Sequence, residues 1–155
     1  MKTAKGFSLV EVLVTLTVLG LLTVLAAPRI NTVFQNARAR EAVNRVVQDF
    51  NWARGTAANG QNTVSMTLAA DCSWTTTVNG TTDASHSMTQ ANLLARAPGL
   101  TCTAVSPSVL PVTFNFDATG KANASSTMLY TLTSGNSWRI QVLSSGSMLI
   151  GTGAQ

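Results

Sequence analysis

A chain of 155 residues is long enough to bury one sizeable core and too short for two ordinary domains. Charged residues make up 10% of it and hydrophobic ones 45%, with abundant Ser, Thr, Asn and Ala, a composition that suits a secreted β-rich surface better than a cytosolic enzyme. The formal net charge is +4, but setting aside Lys2 and Lys5 leaves eight basic and six acidic residues, 8 − 6 = +2, too little to argue nucleic-acid binding.

Residues 7–27 form a 21-residue apolar run in which Glu11 is the single charge. As a helix this run is long enough to cross the ~30 Å hydrocarbon core of a bilayer. Lys2 and Lys5 precede it and the next basic residue is Arg29, so the positive-inside rule keeps the N-terminus cytoplasmic and sends the remainder outward. An ordinary secretory signal peptide is the competing reading, with Ala26 and Ala27 as small residues at a cleavage point. Pro28 just after that point, the length of the run and Glu11 count against it, since an ionisable group inside a membrane segment costs at least ~2.5 kcal/mol and marks function.

The segment Lys5-Gly6-Phe7-Ser8-Leu9-Val10-Glu11 resembles the processing site of class III signal peptides, found in type IV prepilins and type II secretion pseudopilins. The resemblance implies cleavage between Gly6 and Phe7 by a prepilin peptidase, N-methylation of Phe7, and retention of the hydrophobic helix. It also implies that Glu11 pairs with the N-terminal ammonium of a neighbouring subunit during assembly. Gly20 and Pro28 fall where pilins of this kind carry a helix-weakening glycine and a kinking proline. The expected bend is at Pro28, with 20–28 able to loosen in a filament.

Beyond Pro28 helical spacing continues to about Asn59, with Ala39, Val43, Val46, Val47, Phe50, Ala53 and Ala57 on one stripe and Gly60 as a C-terminal stop. Arg38, Glu41, Arg45 and Asp49 fall opposite at i+3 and i+4 spacings and read as a solvated ion-pair ladder. Arg29, Arg40 and Arg54 project near a shoulder of the stripe, where a neighbouring subunit, lipid phosphate or the head itself are all open as partners.

After Gly60 the period becomes two. Val64, Met66 and Leu68; Val112, Phe114 and Phe116; Met128, Tyr130 and Leu132; Trp138, Ile140 and Val142; and Met148 with Ile150 mark strands. Short turns at 117–121, 134–137 and 144–147 make the sheet antiparallel. Region 71–111 has weaker periodicity and reads as one or two strands plus long loops. Cys72 and Cys102, without a CxxC or a histidine cluster, most simply form one disulfide in an oxidising compartment.

The helix end Trp52-Ala53-Arg54-Gly55-Thr56-Ala57, with Phe116-Asp117-Ala118-Thr119-Gly120 and Trp138-Arg139-Ile140, is similar to the H-type pseudopilins of type II secretion and the FimT/FimU-like minor pilins. The fold class implied is α+β, the type IV pilin fold, with a long N-terminal helix packed on an antiparallel β-sheet head. The expected division is a removed leader 1–6, a hydrophobic membrane or filament-core half-helix 7–27, an amphipathic half-helix 28–60 and a β-rich periplasmic or extracellular head 61–155.

For catalysis the inventory is thin. His86 is the single histidine, in what reads as the polar, solvated loop Ser85-His86-Ser87-Met88, and Asp71, Asp83 and Asp117 match no Ca²⁺ loop. No enzyme activity, cofactor or metal is expected. Some FimT-like minor pilins are DNA receptors with an arginine-rich C-terminal motif, but residues 146–155 here contain no arginine. Lys121 and Arg139, with Arg96, are the candidate DNA contacts, and DNA is not the favoured partner. The reading is a minor pilin of a type IV pilus, placed in an initiating or tip complex, moving from the inner membrane to the pilus. Its partners are other pilins and prepilin peptidase. The alternatives are a DNA-binding minor pilin and an H-type pseudopilin.

Overall fold

The computed structural model describes residues 8–60, 62–105, 109–132 and 135–152, except for the side chains of 24–30. In chain order the elements are helix α1 (Leu9–Gly60), strands β1 (Val64–Leu68), β2 (Trp74–Val78) and β3 (Thr81–Met88), helix α2 (Gln90–Arg96), and strands β4 (Leu100–Ala104), β5 (Val112–Phe116), β6 (Ser126–Leu132), β7 (Ser137–Val142) and β8 (Met148–Thr152). This is an α+β architecture consistent with the type IV pilin fold. Two compact units divide the chain, Met1–Phe34 and Gln35–Gln155.

In the first unit every described side chain from 8 to 23 is exposed. Gly20 and Pro28 both lie within α1, and a Cβ added to Gly20 would meet nothing within 4 Å.

The second unit holds the core. Two four-stranded antiparallel sheets, ordered β3-β2-β1-β5 and β4-β6-β7-β8, share one hydrophobic cluster with α1. The helix stripe is buried as its spacing predicts: Ala39, Val43, Val46, Phe50, Ala53 and Ala57 have no exposed surface, and Val47 is half-buried. Phe50 meets Phe114 and Phe116 edge to face, with ring centroids 5.5 and 5.0 Å apart, which seats α1 on β5. Period-two burial is unbroken along β6, where Ser126, Met128, Tyr130 and Leu132 point inward. On the first sheet, hydroxyls pair across strands: Ser65 with Thr77 at 2.6 Å and Thr67 with Thr113 at 2.8 Å. Such pairs stabilise adjacent strands without ionic groups, which is how so lightly charged a chain can present a polar sheet face.

The segment 71–111 is more regular than its sequence predicts, carrying three strands and a helix in place of one or two strands and long loops. Its burial is carried partly by hydroxyls, which hides it from hydropathy. Thr76 is fully buried because its Oγ1 donates to the His86 carbonyl at 2.7 Å, while its amide donates to Ser87 Oγ at 2.9 Å. A register shift between Trp74 and Thr76 breaks the simple alternation there. Thr89 caps α2, whose Leu93 is buried, and Ala97 beyond its end is buried too. Cys72 and Cys102 form the expected disulfide, with Cα atoms 5.5 Å apart. Cys72 lies between β1 and β2 and Cys102 within β4, so the bond ties one sheet to the other.

Candidate functional site

Gly6 and Phe7 lie outside the described residues. The first turn of α1 begins with the Ser8 carbonyl accepting the amides of Glu11 and Val12 at 3.0 and 3.3 Å. Beyond it, the large apolar side chains from Leu9 to Leu22 point in all directions around the helix, with exposures from 47% at Val12 to 80% at Leu9. A helix that is apolar all round needs an apolar surrounding. Its hydroxyls are internally satisfied: Thr15, Thr17 and Thr23 donate to the carbonyls of Val12, Leu13 and Leu19 at 2.8, 2.6 and 2.8 Å. Among the described residues Glu11 is exposed and forms no ion pair.

The membrane-spanning helix expected over 7–27 is not found in this form: among the described residues no helix is long and apolar enough to cross a membrane.

The ladder on the amphipathic half is corrected at Asp49, which is buried rather than solvated. Its Oδ2 accepts the Trp74 indole N–H at 2.9 Å and pairs with Arg45 Nε at 3.1 Å. A tryptophan 25 residues away provides the partner that permits a carboxylate in the core. Replacing Asp49 with alanine leaves that indole donor unpaired, so a loss of about 2 kcal/mol in unfolding free energy is expected by denaturant titration.

His86 is not in a solvated loop either. It lies on β3, its ring is stacked on Trp52 with centroids 3.5 Å apart and planes within 5°, and its Nδ1 lies 3.1 Å from Asp83 Oδ2. The nearby Ser87 hydroxyl donates to the Asp83 carbonyl at 2.6 Å, so it is committed to the turn rather than poised as a nucleophile.

Three carboxyls, two exposed and Asp83 half-buried, are held below their ordinary value of 3.8. Asp83 is lowered first by its hydrogen bond with His86, Asp71 by the Ser73 hydroxyl and Asp117 by the Thr119 hydroxyl. A carboxyl depressed in the folded state stabilises it above the unfolded value, and that stability is lost as pH falls through the folded value. Thermal melts are therefore expected to be flat from neutral pH to about pH 4 and to fall below it, with Asp117→Asn showing a smaller acid loss.

The head arginines separate in an unexpected way. Arg54 packs on the head itself: a Cβ on Gly120 would come within 3.1 Å of its Cγ and 3.3 Å of its Nε. The turns holding Gly120 and Gly146 meet beneath it, both in the left-handed region at φ +75° and +77°, and a Cβ on Gly146 would strike the Gly120 carbonyl oxygen. The side chain of Arg29 lies outside the described residues. Arg40 lines a groove with Arg38, Arg45 and Arg96. Arg96 thus sits beside α1 rather than forming a patch with Lys121 and Arg139, because α2 turns Leu93 into the core. Lys121 is exposed in the turn after β5, its amide donating to Asp117 Oδ1 at 2.9 Å, and Arg139 is exposed on β7 opposite Leu129 and Gly151. Neither lines the groove.

Among the described residues no cluster of three or more His, Cys, Asp or Glu side chains is arranged to hold a metal ion. The N-terminal stretch 1–27 matches the prokaryotic N-terminal methylation motif, and residues 42–146 match the type II transport protein GspH family. No curated protein and no solved structure matches the chain. The second match covers α1 from Ala42 and nearly all of both sheets, more than half of the sequence, and on that ground the chain belongs to the GspH family of type IV pilin-like proteins.

Proposed function

We propose that this chain is a minor pilin, a structural subunit that enters the initiating or tip complex of a type IV pilus and promotes its assembly. The observation that carries this reading is the N-terminal half of α1, apolar and exposed on every side, with Glu11 as its one unpaired charge among the described residues. Such a surface is stable only in lipid or among other helices, and its carboxylate is tolerable there only beside a positive partner.

In this reading residues 1–6 are a leader removed by prepilin peptidase, Phe7 carries the new methylated amino group, and 7–27 anchors the subunit in the inner membrane before joining the filament core. Residues 28–60 lay the amphipathic half-helix on the head 61–155, and 20–28 loosens on assembly. The match to the methylation motif supports the processing step. Mass spectrometry of the N-terminal peptide of the chain recovered from envelopes tests it. The expected peptide begins at Phe7 with one added methyl group, and a mature chain beginning at Met1 or after Ala27 sinks the reading.

The family match favours one second reading, an H-type pseudopilin of a type II secretion system. Deleting the gene separates the two: loss of surface pili with normal protein secretion supports the pilus, and the reverse supports secretion.

A further inference from the structure

A groove of about 410 Å³ lies between α1 and the α2 end of the head. Four arginines line it, Arg38, Arg40, Arg45 and Arg96, with one acidic residue, Glu41. Its formal charge is 4 − 1 = +3, whereas the whole chain from Gln35 onward has seven basic and five acidic residues, 7 − 5 = +2. The Asp49 carboxylate that pairs with Arg45 brings the groove to +2, so the net positive charge of this part of the chain is concentrated here while the remainder nets zero.

The groove has one fixed wall. Arg45 is held by Asp49, itself anchored by the Trp74 indole, and its Nη2 donates to the Ser85 carbonyl at 2.7 Å. Among the described residues Arg38, Arg40 and Arg96 have no ion-pair partner, although Glu41 lies three residues from Arg38 and one from Arg40. Gathering unpaired guanidiniums around one cleft costs free energy through mutual repulsion, which an anion with several acceptor oxygens relieves.

We propose that this groove binds a phosphate group carried on a small polar body, either a phospholipid headgroup or a free phosphate ester. A phosphate monoester offers up to two charges and three terminal acceptor oxygens, enough for two or three guanidinium forks, and a phosphodiester headgroup offers one charge and two terminal oxygens set tetrahedrally, which two guanidiniums can approach from different sides. The volume falls in the range of small-ligand sites. No aromatic side chain lines the groove, so it lacks the stacking platform that a single-stranded nucleic acid uses, and Lys121 and Arg139 lie outside it.

The test uses the full chain in neutral detergent, following the arginine Nε–H signals by NMR. Inorganic pyrophosphate is titrated in one arm and phosphatidylglycerol, against phosphatidylcholine, is added to the micelles in the other. Saturable shifts of the Arg38, Arg40 and Arg96 signals are expected. Arg38→Gln and Arg96→Gln, both at exposed positions, should each weaken binding by roughly 10-fold, with Arg139→Gln unchanged. Response to pyrophosphate supports a free phosphate ester, and response to phosphatidylglycerol alone supports a headgroup. Absence of saturation in both arms, equal weakening by Arg139→Gln, or tighter binding of a glutamate-rich peptide than of pyrophosphate overturns the proposal.

Discussion

Substituting Glu11 with alanine is expected to remove the chain from filaments while leaving its amount in the envelope unchanged. Glu11 is exposed on a stretch of helix, Leu9 to Leu22, whose other large side chains are apolar, and among the described residues it forms no ion pair. An unpartnered carboxylate in apolar surroundings costs at least ~2.5 kcal/mol, so a positive partner gains at least that much leverage over where the subunit settles. At 1.4 kcal/mol per tenfold, loss of the pairing lowers incorporation by more than about 10-fold. Immunoblots of sheared filaments against envelope fractions measure it. Glu11→Gln keeps the length and hydrogen bonding of the side chain but not its charge, and should resemble alanine. If the glutamine variant assembles normally, charge pairing is not what Glu11 supplies; if alanine also does, the assembly reading fails. The melting temperature of the head should not move in either variant, since Glu11 is not among the residues of its core.

Reduction of Cys72–Cys102 has the largest expected effect on stability. The bond closes a 30-residue separation and ties the β1–β2 connection to β4 of the other sheet. Constraining an unfolded loop of that size is worth about 3.6 kcal/mol in the chain-entropy treatment. For a chain of this length that corresponds to a fall of roughly 10 °C in Tm, read by melts with and without reductant. Cys72→Ser, Cys102→Ser and the double variant should fall by nearly the same amount, because each removes the same cross-link. Strict additivity of the two single substitutions would mean that the side chains act through packing instead.

The parts of the fold legible in the sequence are those governed by one period. The stripe Ala39, Val43, Val46, Phe50, Ala53 and Ala57 follows helical spacing, and β1, β5, β6 and β7 alternate in burial, so both survive reading without any tertiary knowledge, whereas β8 is a strand as expected but mostly exposed. What escaped depends on partners far along the chain. Asp49 looked solvated because nothing nearby announces Trp74, and His86 looked like a loop residue because its stacking partner Trp52 lies on α1. Arg54 is explained by glycines at 120 and 146, whose turns approach each other only once the sheets are built. Thr76 on the threonine-rich β2 is buried through hydrogen bonds to β3, a signal that hydropathy does not weigh. Glu11 was legible for the opposite reason, since a lone charge in an apolar run stands out without any partner at all.

The back-bonded threonines of the N-terminal half-helix bear on how it can change surroundings. Thr15, Thr17 and Thr23 spend their hydroxyl protons on carbonyls of the preceding turn, so none of them asks a neighbour for a donor or acceptor. Exchange of one apolar environment for another then breaks no side-chain hydrogen bond along this stretch and is isotropic about the helix axis. Rotation and sliding are left almost unresisted by these side chains, so in the proposed assembly a single charge would be the index mark for depth and azimuth.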